Sequence, residues 1–335
     1  SVPPRRSSDL AFLIVDAKRG VEDQTKRHAY ILRLLGIKKI YVLINKMDLV
    51  DYQQARYDAV RQQVADFLST LDVTSSGFIP ISAYYGEGLL TASEQMPWYH
   101  GHSFIDVLDA IPAADQPLDK PLRLPIQDVF KFDDRRIIAG RIEAGTIQPG
   151  DEITIFPSGR TTTVVDLAHW QPKTARQQVG AGESVGLIVK DEFFNQRGEI
   201  ITKTHDLTRE KPRIASRVNV NLFWMGESPL KIGQTYKLKL ATQEAQVKVI
   251  EIPKITDASD LSARSDNSQV QLNDVAEVVL QANTPIVYDL FSEHQATGRF
   301  VLIDGYDVAG GGTITEAAVD AQTADGAVFT ASDDA

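Results

Sequence analysis

The chain predicts an α/β unit followed by all-β structure, and three observations carry that reading. Between Leu10 and Ile111, short apolar runs alternate with segments whose apolar residues recur at helical spacing. Beyond Ile111-Pro112 the helical spacing stops, and short strand patterns with turn signals follow about every ten residues, as in small barrels. Two of the early apolar runs end in polar residues of specific type, Asn45-Lys46-Met47-Asp48 and Ser82-Ala83. Alternating β and α with short links means a parallel sheet, and such sheets bind ligands outside the carboxyl ends of their strands.

Taken in order, Ser1 to Ser8 is a polar lead-in without an initiator Met, expected to be processed or cut from something longer. Leu10 to Val15 is a buried strand ending at Asp16-Ala17. From Glu22 to Leu35 the positions Ala29, Ile31, Leu32 and Leu35 have helical spacing, and Gly36 supplies the stop. Ile40 to Ile44 is continuously apolar, the mark of a strand buried on both faces. A helix over roughly 52–71 carries Ala55, Ala59, Val64, Phe67, Leu68 and Leu71 on one face. The run Gly77 to Ile81 is the next strand, and Phe104 to Ile111 a short closing helix after a loop at Met96 to Gly101. Ala113 to Pro125, with Pro117 and Pro121, reads as a linker. Arg136–Ile142, Ile153 with Ile155, Val164-Val165, Val185–Val189 and Ile200-Ile201 then form a first barrel. After a break at Lys211-Pro212, alternation at Val218/Val220/Leu222, Tyr236/Leu238/Leu240 and Val247/Val249 leads to Gly298–Asp304 and Gly310–Ile314, a second barrel. The expected domains are 1–115, 118–210 and 211–316, with 317–335 a disordered tail or linker rich in Ala and Asp.

The totals narrow the class. A length of 335 residues exceeds one ordinary core. No apolar run approaches membrane-spanning length and no secretory h-region is present, so neither a membrane nor an export route is expected. The absence of Cys excludes disulfides and thiolate metal sites and fits a cytoplasmic protein. With 35 Lys+Arg against 45 Asp+Glu, the net charge of −10 argues against a broad DNA-binding surface. His100 and His102 form a close pair without a nearby acidic or Cys partner, a loop feature rather than a metal site. No metal site and no catalytic residue is assigned.

Asn45-Lys46-Met47-Asp48 has the form Asn-Lys-x-Asp, the guanine-reading pattern of GTP-binding proteins. Its chemistry explains its residues. A carboxylate at Asp48 offers two acceptors to the adjacent N1 and N2 donors of guanine, and adenine has no such pair. Asn45 has a donor and an acceptor to brace the loop and touch the base. The Lys46 stem can lie along base and sugar with its ammonium in water. Three fixed residues also recur by chance in a chain this long at about the few-per-cent level, as a plain polar turn. The context decides: Ser82-Ala83 follows the next strand, where small residues admit a backbone N–H to the base carbonyl.

Arg141 to Asp151 and Asn195 to Ile201 resemble segments of the second domain of elongation-factor-type GTPases, and the resemblance covers about residues 9–315. Within that family, Met96 to Gly101, Leu222 to Met225 and Thr297 to Asp304 are most similar to the GTPase large subunits of sulfate adenylyltransferase. Leu122 to Val129 is equally at home in elongation factor 1-alpha. The resemblance implies a partial doubly wound P-loop-type GTPase domain followed by two small β-barrels. It implies GTP as the ligand, with Mg in the complete protein, and a catalytic small subunit as partner in a heterodimer. That partner joins sulfate to ATP, and GTP hydrolysis helps drive the reaction. Carried over, Asn45, Lys46, Met47 and Asp48 read guanine and Ser82 with Ala83 completes the pocket. The chain departs from the family in having no Gly-Lys dipeptide, hence no phosphate loop, and no Asp-x-Pro-Gly-His segment. Asp307-Val308-Ala309-Gly310 fits Asp-x-x-Gly only by coincidence, inside the last barrel. The expectation is therefore an N-terminally truncated form carrying the base half of the site. The rival expectations are a translation factor delivering aminoacyl-tRNA and a non-catalytic partner-binding scaffold.

Overall fold

The computed structural model describes residues 10–37, 39–111, 116–132, 135–168, 177–191, 194–257 and 268–316. The expected lead-in at 1–8 and tail at 317–335 lie outside these. Strands β1 (Leu10–Asp16), β2 (Lys39–Asn45) and β3 (Ser75–Pro80) form a parallel sheet in the order β1-β2-β3. Helices α1 (Asp23–Leu34), α2 (Gln54–Thr70) and α3 (Phe104–Asp109) connect and flank them. The continuous apolar run in β2 is buried on both faces for the reason its sequence suggests. Val42 and Ile44 pack with Val60, Val64 and Leu68 of α2 on one side. Leu43 packs with Ile79, Ile81 and Val107 on the other. Truncating Ile44 to Ala would cost about 2–5 kcal/mol, the usual range for a closed core site.

The loop from Met96 is a packing element. Met96 is buried in the α2 core, the Trp98 indole donates to the Tyr52 carbonyl at 3.0 Å, and the Tyr57 and Tyr99 hydroxyls both donate to the Phe78 carbonyl at 3.1 Å. His100 and His102 are exposed. Helix α3 begins in a reciprocal cap between Ser103 and Asp106.

The first barrel closes through β4 (Leu124–Phe132), β5 (Arg135–Arg141), β6 (Glu152–Phe156), β7 (Arg160–Ala168), β8 (Ser184–Val189) and β9 (Ile200–Lys203). The order around it is β8-β5-β4-β9-β6-β7. Leu124, Ile126, Ile138, Ile155, Leu187 and Ile201 fill its interior. The second closes through β10 (Arg213–Trp224), β11 (Thr235–Leu240), β12 (Gln243–Asp257), β13 (Asp274–Tyr288), β14 (Arg299–Asp304) and β15 (Asp307–Thr315). Its order is β10-β13-β12-β11-β14-β15, around Trp224, Leu238, Val247, Leu280 and Leu302. Asp307 to Gly310 is ladder in β15, with Asp307 opposite Asp304, Val308 opposite Ile303, and Gly310 between Leu302 and Trp224.

Several contacts join the three bodies. Tyr30, Ile31 and Leu34 of α1 pack on Phe223 and Val275 of the second barrel. Gly36 ends this helix at φ +68°, and a Cβ there would stand 2.9 Å from the Phe291 ring, so both conformation and space call for glycine. Between the barrels, Arg123 and Asp289 form a fully buried ion pair. Arg123 Nε donates to both Asp289 oxygens at 3.1 and 3.0 Å and Nη2 donates to Oδ1 at 2.9 Å. Thr297 Oγ1 donates to Oδ2 at 2.5 Å. Burial alone would raise the Asp289 pKa, but these hydrogen bonds and the guanidinium charge hold it below the usual carboxylate range.

Candidate functional site

Parallel register sets the strand ends side by side. Asp16 lies opposite Asn45, and Ile44 opposite Pro80, so the segments after β1, β2 and β3 leave the sheet at one edge. Asn45 is the last residue of β2, and Lys46 turns the chain with φ +64°. The left-handed region is unusual for a side-chain-bearing residue and is held here by neighbours. The Asn45 Oδ1 accepts from the Lys46 backbone N–H at 2.7 Å and from the Ala83 N–H at 3.0 Å. Met47 is buried in the core, anchoring the turn, and its N–H donates to the Ile81 carbonyl at 3.2 Å. Asp48 follows in the short 3-10 turn Met47–Val50.

Ser82 has no exposed surface and donates from Oγ to Asp48 Oδ1 at 2.5 Å. This bond aims the carboxylate and leaves Oδ2 without a partner among the described residues. Ala83 is exposed, with its backbone N–H held by Asn45 Oδ1 at 3.0 Å. All six residues singled out from the sequence thus fall in one constellation, drawn from two loops 34 residues apart between Asp48 and Ser82.

Two members were not legible beforehand. Lys46 Nζ donates to Asp16 Oδ2 at 2.7 Å across the strand ends. Burial raises the Asp16 pKa, but the bonds from Lys46, Arg19 and Lys18 outweigh it, so the carboxylate is held below its ordinary value. The backbone beyond Asp16 is clasped from α2, where Arg56 donates to the Ala17 carbonyl at 2.7 Å and the Lys18 carbonyl at 2.9 Å. Tyr52 is the second: burial, followed by the charge of nearby Asp48, pushes its pKa up. A strand-end Asp opposite Asn45 was the available signal for the first; Tyr52 offers none in sequence.

Beside Asn45 and Lys46, a cleft of about 550 Å³ runs along β1 toward α1, bordered by Asp16, Arg19, Thr25 and His28. Among the described residues, the side chains grouped closely enough to share a cation are Glu210, Asp289 and His294. They sit at the junction of the barrels, where Arg123 already supplies the positive charge.

Chemically, the strand-end constellation brings together an aimed carboxylate, an amide, an exposed amine stem and a backbone donor. That set matches a purine with adjacent N–H donors and a carbonyl. Residues 4–114 match the family described as "Elongation factor Tu GTP binding domain", and residues 217–315 match "GTP-eEF1A C-terminal domain-like". The chain thus carries an EF-Tu-like GTP-binding domain and an eEF1A-like C-terminal domain, in the arrangement of a GTPase-type domain followed by two six-stranded antiparallel barrels.

Its relatives point further. "Sulfate adenylyltransferase subunit 1" of Laribacter hongkongensis is 36% identical over 300 residues, covering 89% of this chain and 61% of that protein. The protein of the same name from Teredinibacter turnerae is 33% identical over 297 residues, covering 88% and 62%. The chain therefore spans about three-fifths of the length of these relatives. Among solved structures, sup35 complexed with GDP superposes with a TM-score of 0.55 at 23% identity, over 92% of this chain and 78% of that one, a likeness of fold.

Proposed function

We propose that this chain is the guanine-reading, barrel-bearing part of a GTP-binding subunit of a sulfate adenylyltransferase. The observation that carries the reading is Asp48, aimed by Ser82 with one carboxylate oxygen left over. In this role Asp48 accepts from the paired donors of guanine, and Ser82 fixes its rotamer. Ala83 supplies the backbone donor for the base carbonyl, exchanging its bond to Asn45 for one to the base. The Lys46 stem covers the base while Asp16 holds its ammonium. Bound GTP supplies the hydrolysable phosphoanhydride, and no residue of this chain is assigned to its phosphates or to magnesium.

The names of the relatives support a second subunit as partner, and we assign it as the small catalytic subunit that joins sulfate to ATP. The barrels, locked together at Arg123 and Asp289, are the rigid body to which that partner is assigned. The net charge of −10 weighs against the aminoacyl-tRNA reading.

Equilibrium titration of the full chain with a fluorescent GDP analogue tests the reading. GDP and GTP are expected to displace the probe, and ADP and ATP are not. Asp48→Ala is expected to lose about 2–4 kcal/mol, a factor of tens to hundreds. Displacement by ADP as effective as by GDP would contradict it. Co-purification with the small catalytic subunit of the same organism tests the partner.

A further inference from the structure

Where the GTPase-type unit meets both barrels lies a partly open cavity of about 600 Å³. Helix α1 contributes Ile31, Leu34 and Leu35 to one wall, and the second barrel contributes Phe223, Met225 and Phe300 to another. The first barrel contributes Pro125, Gln127, Arg141 and Glu143. The size is that of an ordinary small-molecule site, and the walls combine apolar surface with a few convergent polar groups, as such sites do.

Two features of those polar groups are unusual. Arg141 Nε and Thr242 Oγ1 are both buried, and neither has a hydrogen-bond partner among the described residues. Glu143 stands 4.0 Å from Arg141 Nε, outside hydrogen-bond range. Charge is also unbalanced: among the described residues, Arg141, Lys239 and Arg299 line the cavity against the one carboxylate of Glu143, in a chain whose net charge is −10. Lys239 is paired with Glu244 at 3.2 Å, whereas Arg299 has no side-chain partner among the described residues. Buried donors are almost always satisfied in native proteins, and an orphan guanidinium N–H on a residue that lines a cavity marks a place for an acceptor.

We propose that this junction cavity binds a small amphiphilic anion, a carboxylate carried on an aliphatic or aromatic body. The carboxylate accepts from Arg141, Arg299 and the Thr242 hydroxyl, and the body lies against Leu34, Phe223 and Met225. Such a ligand touches α1 and both barrels at once. Its binding free energy is available only while the three bodies keep this placement, so by linkage it stabilises that placement. The site is thereby a point at which a metabolite-sized anion regulates how the GTPase-type unit sits on the barrels.

Calorimetric titration of the full chain with sodium decanoate, and separately with decanol, tests this. One saturable decanoate site is expected, with decanol at least about tenfold weaker, since it lacks the charge that Arg141 and Arg299 answer. Arg299→Gln and Arg141→Gln are each expected to weaken decanoate by about tenfold while leaving decanol unchanged. Leu34→Trp, which fills the cavity from the α1 side, is expected to abolish both without altering the far-UV circular dichroism. Absence of a saturable site in the unsubstituted chain would overturn the proposal, with water alone then satisfying Arg141. Equal binding of decanoate and decanol would overturn it too, and that comparison needs no variant to fold.

Discussion

Replacing Asp289 by Asn tests how the two barrels are held. Asp289 and Arg123 are both fully buried, and three of the four hydrogen bonds received by the carboxylate come from that one guanidinium. The other hydrogen bonds of Arg123 go to neutral acceptors, the Leu122 carbonyl at 3.0 Å, Thr202 Oγ1 at 3.3 Å and the Glu210 carbonyl at 3.4 Å, and the part-exposed Glu210 carboxylate stands 3.9 Å from Nη2. Asn keeps the shape but removes the charge, leaving a desolvated guanidinium opposite an amide that offers one acceptor. Breaking a buried pair on one side costs about 3–5 kcal/mol, whereas replacing both partners with apolar residues costs far less. Asp289→Asn should therefore lower the urea midpoint of barrel unfolding sharply, and Arg123→Met/Asp289→Leu should recover most of the loss. Tryptophan fluorescence reports the transition, because Trp224 is in the second-barrel core. A single variant within about 1 kcal/mol of the unsubstituted chain would refute the reasoning.

Other outcomes are expected. Burial lowers the pKa of His294 to about 4, while an unfolded His titrates near 6.5. Between those values the unfolded chain holds the extra proton, so this group makes stability fall as pH drops from about 6.5 to 4. Glu210, with its pKa raised by burial, offsets part of that at the acid end. His294→Leu should flatten the dependence of melting temperature on pH, and an unaltered slope would contradict the assignment. Asp16→Asn frees Lys46, half of whose side chain is exposed, and should weaken GDP about two- to fivefold, the range for a partly solvated ion pair; titration with unchanged affinity would count against an anchoring role. Because the chain has no Gly-Lys dipeptide, phosphate release from GTP should stay at the buffer background, and turnover abolished by Asp48→Ala would contradict this.

Much of the site was readable because it follows a local rule. An unbroken apolar strand such as Ile40–Ile44 predicts burial on both faces, and residues just past its carboxyl end must face the crevice. The helix stop at Gly36 was equally local, although the contact with Phe291 that reinforces it was not. The longest omission was β13: Val275 to Leu280 mixes adjacent apolar residues with Glu277, and neither a period of two nor a helical period stands out. Pairing on both sides, with β10 and β12, makes it central all the same. Arg123 and Asp289 are 166 residues apart, and no spacing rule reaches that far. Asp16 was visible only as a strand end; its bond to Lys46 depends on the parallel register.

The most direct measurement is competition between guanine and xanthine nucleotides on the Asp48→Asn chain. Aspartate accepts from two donors, whereas asparagine offers one acceptor and one donor, and xanthine has a carbonyl where guanine has its amino group. Against GTP the new amide donor meets a donor, which costs about 2–4 kcal/mol in a partly dry pocket. Against xanthosine triphosphate the same change makes a match. The account predicts that the unsubstituted chain prefers GTP and that Asp48→Asn prefers xanthosine triphosphate, each by a factor of tens or more. If the ratio of the two affinities is the same in both chains, Asp48 does not read the base, and the constellation it forms with Asn45 and Ser82 is only a strand-end turn.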